Sequence, residues 1–144
     1  MELVTKHHGV RIYSDDDVIV FKKGLPGFKE LKKFIVFPLE GNEVFSILHS
    51  IEDIKVGLIL VSPYTIVQDY EFKIPDTNVL ELEIASAEEV LVFTTVTLSS
   101  DIKNMTTNLK APIIINVKEN LGEQLILDTD KYKIKEPLFS EGVR

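Results

Sequence analysis

The strongest constraint on the fold of this chain is its preference for β-branched residues. Valine, isoleucine and threonine recur throughout, whereas alanine occurs only at Ala85, Ala87 and Ala111. β-branched side chains lose rotamer freedom on a helix and pack well on a pleated sheet. The sequence therefore predicts an all-β fold, mostly strands with only a few short helical turns.

Hydrophobic periodicity supports this fold class. Apolar runs at 18–21, 34–37, 58–61, 90–93 and 113–115 predict central strands that are covered on both faces. Segments 70–74, 80–84 and 131–135 alternate apolar and charged residues, which predicts half-buried strands. With turn signals between them, roughly ten short strands indicate a small antiparallel β-barrel-like domain.

Helical structure is expected only as brief turns. Ser62-Pro63 is typical of an N-cap followed by proline at the first helical position. Ser86 and Glu89 have the spacing of a capping box, and residues 28–33 are expected to form one turn. We expect a single domain over residues 1–137 and a flexible C-terminal tail over residues 138–144.

Composition excludes several classes of function. The chain of 144 residues has no cysteine, so thiol chemistry and thiolate metal sites are absent. Its net charge of −7, with arginine only at positions 11 and 144, argues against direct nucleic-acid binding. No apolar stretch of about 18 residues and no signal peptide are present, so we expect a soluble, cytoplasmic monomer that does not enter a membrane.

Candidate catalytic and metal-binding groups are few. The adjacent His7 and His8 point to opposite faces of a strand, and a metal site would need the carboxylates of residues 15–17 to fold back on them. His49 precedes Ser50 without the glycine-rich turn of a nucleophile elbow. A hydrolase or isomerase using His49 and Asp69 in a barrel mouth is a minor alternative. We expect no enzyme activity and no cofactor.

Binding surfaces are the better expectation for a β domain without catalytic groups. Residues 78–90 contain Glu81, Glu83, Glu88 and Glu89 and no basic residue, which is an ordinary solvated face or a surface that docks a basic partner and repels RNA. The predicted edge strands at 79–84 and 131–135 are candidates for accepting a strand or helix.

An ordered set of motifs resembles the bacterial flagellar assembly factor FliW family. Phe21-Lys22-Lys23-Gly24-Leu25-Pro26-Gly27-Phe28 is similar to the family element F-x-x-G-L-P-G-F. Residues 45–53 are similar to F-x-x-L-Q-S-x-x-D, with His49 in place of the usual glutamine. Ser62-Pro63, Asp69-Tyr70 and residues 107–116, which contain the family pattern N-L-x-A-P-I-x-x-N, follow in the family's order, so that the resemblance covers about residues 3–138.

The resemblance implies a small β-barrel-like fold and a non-enzymatic partner switch. FliW-like proteins bind newly made flagellin in the cytoplasm, and they also bind CsrA, a basic dimer that represses translation of flagellin mRNA. An export chaperone that binds flagellin only is the alternative.

The resemblance also singles out individual residues. Gly24, Pro26 and Gly27 are expected to shape a turn, Asn108 to bind loop backbone, and Pro112 belongs to the same structural motifs. The candidates for partner contact are Phe28, Leu48, His49, Asp69, Tyr70, Glu81, Glu83, Glu88 and Glu89. For Phe28, Leu48 and Tyr70, a place in the core is an equal alternative.

Overall fold

The computed structural model describes residues 1–139. Its strands are β1 (Glu2–Val4), β2 (Val10–Ile12), β3 (Ile19–Val20), β4 (Lys33–Pro38), β5 (Phe45–Ser50), β6 (Gly57–Val61), β7 (Val90–Thr97), β8 (Thr106–Thr107), β9 (Ile113–Asn116), β10 (Leu121–Gln124) and β11 (Glu136–Pro137). Its α-helix is α1 (Asp76–Glu81), and short 3-10 turns occupy Asp15–Asp17, Pro63–Thr65, Ala87–Glu89 and Ile102–Asn104.

Seven of these strands close into a barrel. The order is β7-β6-β5-β4-β3-β10-β9, and β9 pairs back onto β7 to complete the ring. Neighbouring strands are antiparallel except at one parallel bridge between Leu121 of β10 and Val20 of β3. The predicted mostly-β, barrel-like fold is confirmed, and each of the five runs that are apolar on both faces contributes a strand of the ring.

Side chains fill the barrel interior. Phe21 and Phe34 are fully buried and meet edge to face, with ring centroids 5.3 Å apart. Leu48, Leu60 and Ile113 belong to the same cluster. A filled interior means that the barrel has a core and not a ligand-binding lumen.

The outer face of β9 and β10 is covered by the segment that contains α1. Phe72, Ile74, Leu82 and Ile84 from this segment pack with Ile114 and Leu121 of the sheet, and Leu125 belongs to the same cluster. Strands β7 and β9 are therefore apolar on both faces because each face contacts a core.

The strands predicted at 70–74 and 80–84 are wrong. Residues 70–75 are irregular, and α1 follows Pro75. Leu82 is buried whereas Leu80 is 78% exposed, so the alternation of apolar residues does not mark one face of a sheet. The helix ends with hydrogen bonds from the Glu83 and Ile84 amides to the Leu80 and Val79 carbonyls, with Glu83 at φ 54°, which is a Schellman motif.

The strand predicted at 131–135 is also wrong. Tyr132 is buried but Ile134 is 59% exposed, and the segment forms bends and turns before β11. Neither 79–84 nor 131–135 is an edge strand, so neither offers the strand-accepting edge that the sequence predicted. Periodicity alone did not distinguish a strand from an irregular segment with one buried aromatic ring.

The predicted helical turns are present. Pro63 opens one 3-10 turn, and Ser86 with Glu89 forms the capping box of another. In the segment 28–33 the Leu31 amide donates to the Phe28 carbonyl at 3.1 Å. None of these helical elements exceeds the six residues of α1, and no helix of the described residues has the length and apolar character required to cross a membrane.

A hairpin of β1 and β2 forms a separate two-stranded sheet over the outer face of the barrel. The Lys6 amide after β1 donates to the Ile54 carbonyl at 3.1 Å. The ring of His8, in the hairpin turn, contacts Phe37 of β4 and His49 of β5 at centroid distances of 6.2 and 6.1 Å. The hairpin is therefore attached to the barrel at its turn.

The end of the described chain also contacts the barrel. The Leu138 amide donates to the Met105 carbonyl at 3.0 Å. Leu138 and Phe139 line an apolar groove of about 220 Å³ with Phe45 and Val61. The first two residues of the predicted tail thus make contacts, and residues 140–144 lie outside the described residues.

Candidate functional site

A groove of about 520 Å³ lies between the segment 64–74 and the start of β7. We refer to it as the aromatic groove. Its lining consists of the mainly apolar residues Tyr64, Tyr70, Phe72, Ile74, Ile84, Ala87, Val90 and Val92 together with the charged Glu71 and Lys73. An apolar groove of this size at the surface is typical of a site that binds another molecule.

Tyr70 forms part of the floor of the aromatic groove. Its ring packs on Tyr132 with a centroid distance of 4.6 Å, and its hydroxyl donates to the Leu109 carbonyl at 2.7 Å. Only 3% of Tyr70 is exposed, and burial raises the pKa of its hydroxyl. Tyr70 is therefore a core residue beneath the groove, which is one of the two places that the sequence left open for it. Tyr64 is 45% exposed and offers more surface to a partner.

The predicted acidic residues adjoin this groove but do not act as one charge cluster. Glu81 forms an ion pair with Lys23 at 3.0 Å, and Glu123 lies 3.6 Å from the same ammonium group. The hydrogen bond to Glu81 and the charge of Glu123 raise the pKa of Lys23. The charge of Glu81 is therefore partly balanced by a lysine from a distant loop.

The Glu89 carboxylate is also engaged in contacts within the protein. Its carboxylate accepts hydrogen bonds from the Ala85 and Ser86 amides at 3.0 and 3.2 Å, and it lies 3.9 Å from the Lys118 ammonium group. By contrast, Glu83 and Glu88 are exposed, and within residues 1–139 their carboxylates make no hydrogen bond or ion pair. Glu83 and Glu88 are thus the two predicted acidic residues with unbalanced charge, next to Ile84 and Ala87 of the groove lining.

Asn116 fixes this acidic edge, a role that the sequence did not indicate although the motif at 107–116 ends on this residue. Its Nδ2 donates to the Leu82 and Glu83 carbonyls at 2.8 and 3.1 Å, while its Oδ1 accepts from the Lys118 and Glu119 amides. Only 1% of Asn116 is exposed. The available signal was a polar residue that ends the apolar run 113–115, because a buried amide needs its partners satisfied.

The remaining predicted partner residues are scattered. Leu48 points into the barrel and is fully buried, so its side chain is not accessible to a partner in this conformation. Phe28 is half-buried and packs against the same interior cluster. Asp69 is exposed in the turn that precedes Tyr70. Of these three side chains, only that of Asp69 is exposed near the aromatic groove.

His49 lies on the outer face of β5 under the N-terminal hairpin, and only 2% of it is exposed. Its Nδ1 lies 2.8 Å from the Ser50 carbonyl, and its ring stacks on Phe37 with a centroid distance of 6.3 Å. Among the described residues no carboxylate bonds to this ring, so Asp69 does not orient it as in a catalytic dyad. No group of three metal-ligating side chains is arranged to hold a metal ion in the part of the chain that the structure describes.

The predicted structural motif residues lie in tight turns. Gly24 and Gly27 have φ of 66° and 86°, and the Phe28 amide donates to the Leu25 carbonyl at 2.8 Å across Pro26 and Gly27. Proline before a glycine with positive φ suits a type II turn. Farther along the chain, the Asn108 Oδ1 accepts from the Lys110 amide at 3.0 Å, and the buried Pro112 accepts from the Leu125 amide at 2.9 Å.

A filled seven-stranded barrel with an N-terminal hairpin and one short helix is the fold of a flagellar assembly factor. A crystal structure described as that of the flagellar assembly factor FliW matches 99% of this chain and 100% of its own chain, with a TM-score of 0.93 and 35% sequence identity.

Sequence comparison agrees with the structural match. The family model described as FliW protein matches residues 2–138, so the chain belongs to the FliW family. The flagellar assembly factor FliW of Clostridium novyi (strain NT) is 55% identical over 143 residues, which cover 99% of this chain and 100% of the relative. The protein of the same description from Clostridium tetani (strain Massachusetts / E88) is 54% identical, over 98% of this chain and 97% of the relative. The resemblance found in the motifs is thereby confirmed.

Proposed function

We propose that this protein is a cytoplasmic, non-enzymatic flagellar assembly factor that alternates between two partners. In this function it binds newly made flagellin, and when flagellin is exported it binds the basic translational repressor CsrA and releases flagellin mRNA from repression. Membership of the FliW family and the names of its relatives support the flagellar role. The two partners come from the resemblance of the sequence motifs to this family.

Binding of the repressor is proposed from one observation, the pair of unbalanced carboxylates of Glu83 and Glu88 beside the aromatic groove. An apolar groove supplies buried area to a partner, and the two unbalanced carboxylates, which outnumber the Lys73 ammonium group of the lining, favour a partner of positive charge. The repressor is basic because it binds RNA, so its charge complements both these carboxylates and the net charge of −7. We therefore assign the aromatic groove to the repressor.

The same charges supply a way to release RNA. A protein docked on an RNA-binding dimer that presents Glu83 and Glu88 raises the electrostatic cost of a nearby phosphate backbone. Release then requires no competition for the base-reading surface. The effect weakens as salt rises, because exposed charges are screened.

The test is isothermal titration of the protein with purified flagellin and, separately, with CsrA, each at two salt concentrations. The variant Glu83→Gln/Glu88→Gln removes the unbalanced charges and leaves the Lys23–Glu81 ion pair in place. The matched control is Glu40→Gln/Glu43→Gln, which removes two exposed charges between β4 and β5.

We expect wild type to bind both partners, with the CsrA affinity falling at higher salt. The Glu83/Glu88 variant should bind CsrA several-fold more weakly and displace RNA poorly, and the control should behave as wild type. Equal loss in both variants would assign the effect to net charge and overturn the assignment of the groove. Binding to flagellin without binding to CsrA would support the alternative function, an export chaperone for flagellin alone.

A further inference from the structure

The N-terminal hairpin has a strand edge with unpaired main-chain groups. Met1 and Tyr13 exchange both main-chain hydrogen bonds across the hairpin, and the Thr5 amide donates to the Gly9 carbonyl. In an antiparallel pair such hydrogen-bonded positions alternate with positions whose N–H and C=O point away from the partner strand. Val10 and Ile12 of β2 occupy those other positions, opposite Val4 and Glu2. Within residues 1–139 their main-chain groups make no hydrogen bond.

The two edges of the hairpin are not equivalent. The outer edge of β1 continues into Lys6, whose amide is already bonded to the Ile54 carbonyl. The outer edge of β2 has no such attachment among the described residues. Val10 and Ile12 are 55% and 81% exposed, which is the character of an edge open to pairing with another chain.

A groove of about 480 Å³ lies beside this open edge. Residues 10–13 line one side, and Ile35, Val36 and Phe37 of β4 line the other. A strand added to β2 directs alternate side chains to opposite faces, so every second side chain points towards β4. The main-chain edge and the groove together define the occupant as an extended peptide with apolar side chains at alternate positions.

The charges at the groove favour a basic occupant. Asp17 lines the groove while its Oδ2 accepts a hydrogen bond from the Ser14 amide at 2.9 Å, and Asp15 and Asp16 belong to the same exposed 3-10 turn. Arg11 is the basic side chain in the lining, and its guanidinium lies over the Phe37 ring at 4.3 Å, which directs it to the barrel. A lysine or arginine at one end of the peptide would therefore meet a carboxylate.

A second copy of this chain is a poorer occupant. Antiparallel pairing of β2 with its own copy, with Val10 opposite Ile12, places Arg11 opposite Arg11 of the other molecule. Like charges directly opposite each other on neighbouring strands are destabilising. The net charge of −7 on each copy also opposes association.

We propose that the open edge of β2 and the adjoining groove on β4 form a second interaction surface, which captures an extended, basic and apolar peptide segment of a partner protein by strand addition. This surface is separate from the aromatic groove and does not depend on the function proposed there. Main-chain hydrogen bonds from Val10 and Ile12 supply binding that is tolerant of sequence, and the groove and Asp17 supply selectivity.

The test uses a synthetic peptide in which lysines flank alternating valines and threonines, added to ¹⁵N-labelled protein and followed by amide chemical shifts. We expect shifts at Val10 and Ile12 and at the groove residues of β4, with protection of the Val10 and Ile12 amides from hydrogen exchange. Two further peptides carry N-methyl groups on the valines only or on the threonines only. Because alternate residues of a strand point their N–H groups to opposite edges, one of the two should bind and the other should not.

The matched variants are Ile12→Pro and Val4→Pro. Each removes an N–H group that points away from the hairpin partner, the first on the open edge of β2 and the second on the edge of β1. Ile12→Pro should weaken peptide binding about tenfold, since one lost hydrogen bond at a site that remains buried accounts for such a factor. Val4→Pro should bind as wild type.

Several outcomes would overturn the proposal. These are no binding at about 1 mM peptide, shifts confined to another face, or equal binding of the two N-methylated peptides, all measured on the wild-type protein. A glutamate-flanked peptide that binds as well as the lysine-flanked one would remove the basic character of the occupant. A dimer in sedimentation that Ile12→Pro abolishes would replace the partner peptide with a second copy of this chain.

Discussion

The ring of His49 lies directly against Gly57, and a methyl group on Gly57 would be 2.7 Å from the His49 Cδ2 atom. The two residues face each other across β5 and β6. Residue 57 of β6 must therefore be glycine for the buried His49 ring to occupy this position on β5. The two positions therefore form one packing unit.

We expect Gly57→Ala to destabilise the protein by about 1–3 kcal/mol, because overpacking of a well-packed site costs that much. In the double variant His49→Ala/Gly57→Ala the added methyl group has space, so its cost should largely disappear. A double-mutant cycle by urea denaturation measures this coupling. Additive effects would show that the ring is not what limits residue 57.

The turn at residues 24–28 contains two glycines that should differ in sensitivity. At Gly27 a Cβ would meet nothing within 4 Å, so Gly27→Ala should cost only the left-handed backbone strain of about 1–2 kcal/mol. At Gly24 a Cβ would lie 2.5 Å from the Lys29 carbonyl oxygen, which is main chain and cannot move freely. Gly24→Ala should therefore be clearly the more destabilising variant in thermal unfolding. The reverse order would contradict the geometry of the turn.

Removal of the Asn116 side chain should destabilise the protein more than removal of the Asn108 side chain. Asn116→Ala leaves the Leu82 and Glu83 carbonyls and two amides without partners, at a cost of about 2–4 kcal/mol. Asn108→Ala removes one bond, to the Lys110 amide, and should cost about 1 kcal/mol. Similar denaturation midpoints for the two variants would contradict this ranking.

Glu83 occupies the left-handed position of the Schellman motif, which glycine adopts without strain. Glu83→Gly should therefore stabilise the protein by up to about 1 kcal/mol, in spite of the greater flexibility of the unfolded chain. Glu83→Gln, which keeps the strain and removes the charge, should leave stability near that of wild type. If Glu83→Gly stabilises the fold but weakens binding to CsrA, the strained residue is kept for its carboxylate and not for the helix.

Stability should decrease below neutral pH partly through His8. Burial, followed by the charges of His49, His7 and Arg11, lowers the pKa of His8 in the folded state. The unfolded state then binds a proton more readily, so this contribution to stability is complete above the unfolded pKa of about 6.5 and is lost as pH falls below it. His8→Gln should flatten the change in Tm between about pH 7.5 and pH 5.5. His7→Gln, at an exposed position, is the control and should retain most of the change.

The sequence predicted five of the seven barrel strands because their runs are apolar on both faces, and this property is local. It failed at 70–74 and 80–84, where Phe72, Ile74, Leu82 and Ile84 pack on the outside of the barrel from an irregular segment and a helix end. Burial against another layer reproduces the pattern of a strand without a hydrogen-bonded neighbour. The sequence thus indicated most of the side chains that pack against the barrel here, but not the exposure of Leu80, and only the tertiary structure showed what covers them.

The candidate site was also only partly predictable from the sequence. The four glutamates were recognisable as an acidic stretch, but Lys23, which pairs with Glu81, comes from 58 residues earlier in the chain. Asn116, which holds the edge in place, comes from β9. The distinction between balanced and unbalanced carboxylates therefore depends on contacts between distant segments, which one sequence does not reveal.

Closure of the barrel has a consequence for the order of folding. The parallel bridge joins Val20 near the beginning of the chain to Leu121 near its end, and the ring closes at β7 only when β7 pairs with the later strand β9. Contacts between such distant segments form slowly, because the entropy of closing a long loop is lost before the contacts are gained. During synthesis the first five ring strands, β3 to β7, emerge with both outer edges open, and the ring closes only when the last third of the chain leaves the ribosome. Until β9 and β10 are available, the nascent chain has two open strand edges, which are prone to pair with other chains.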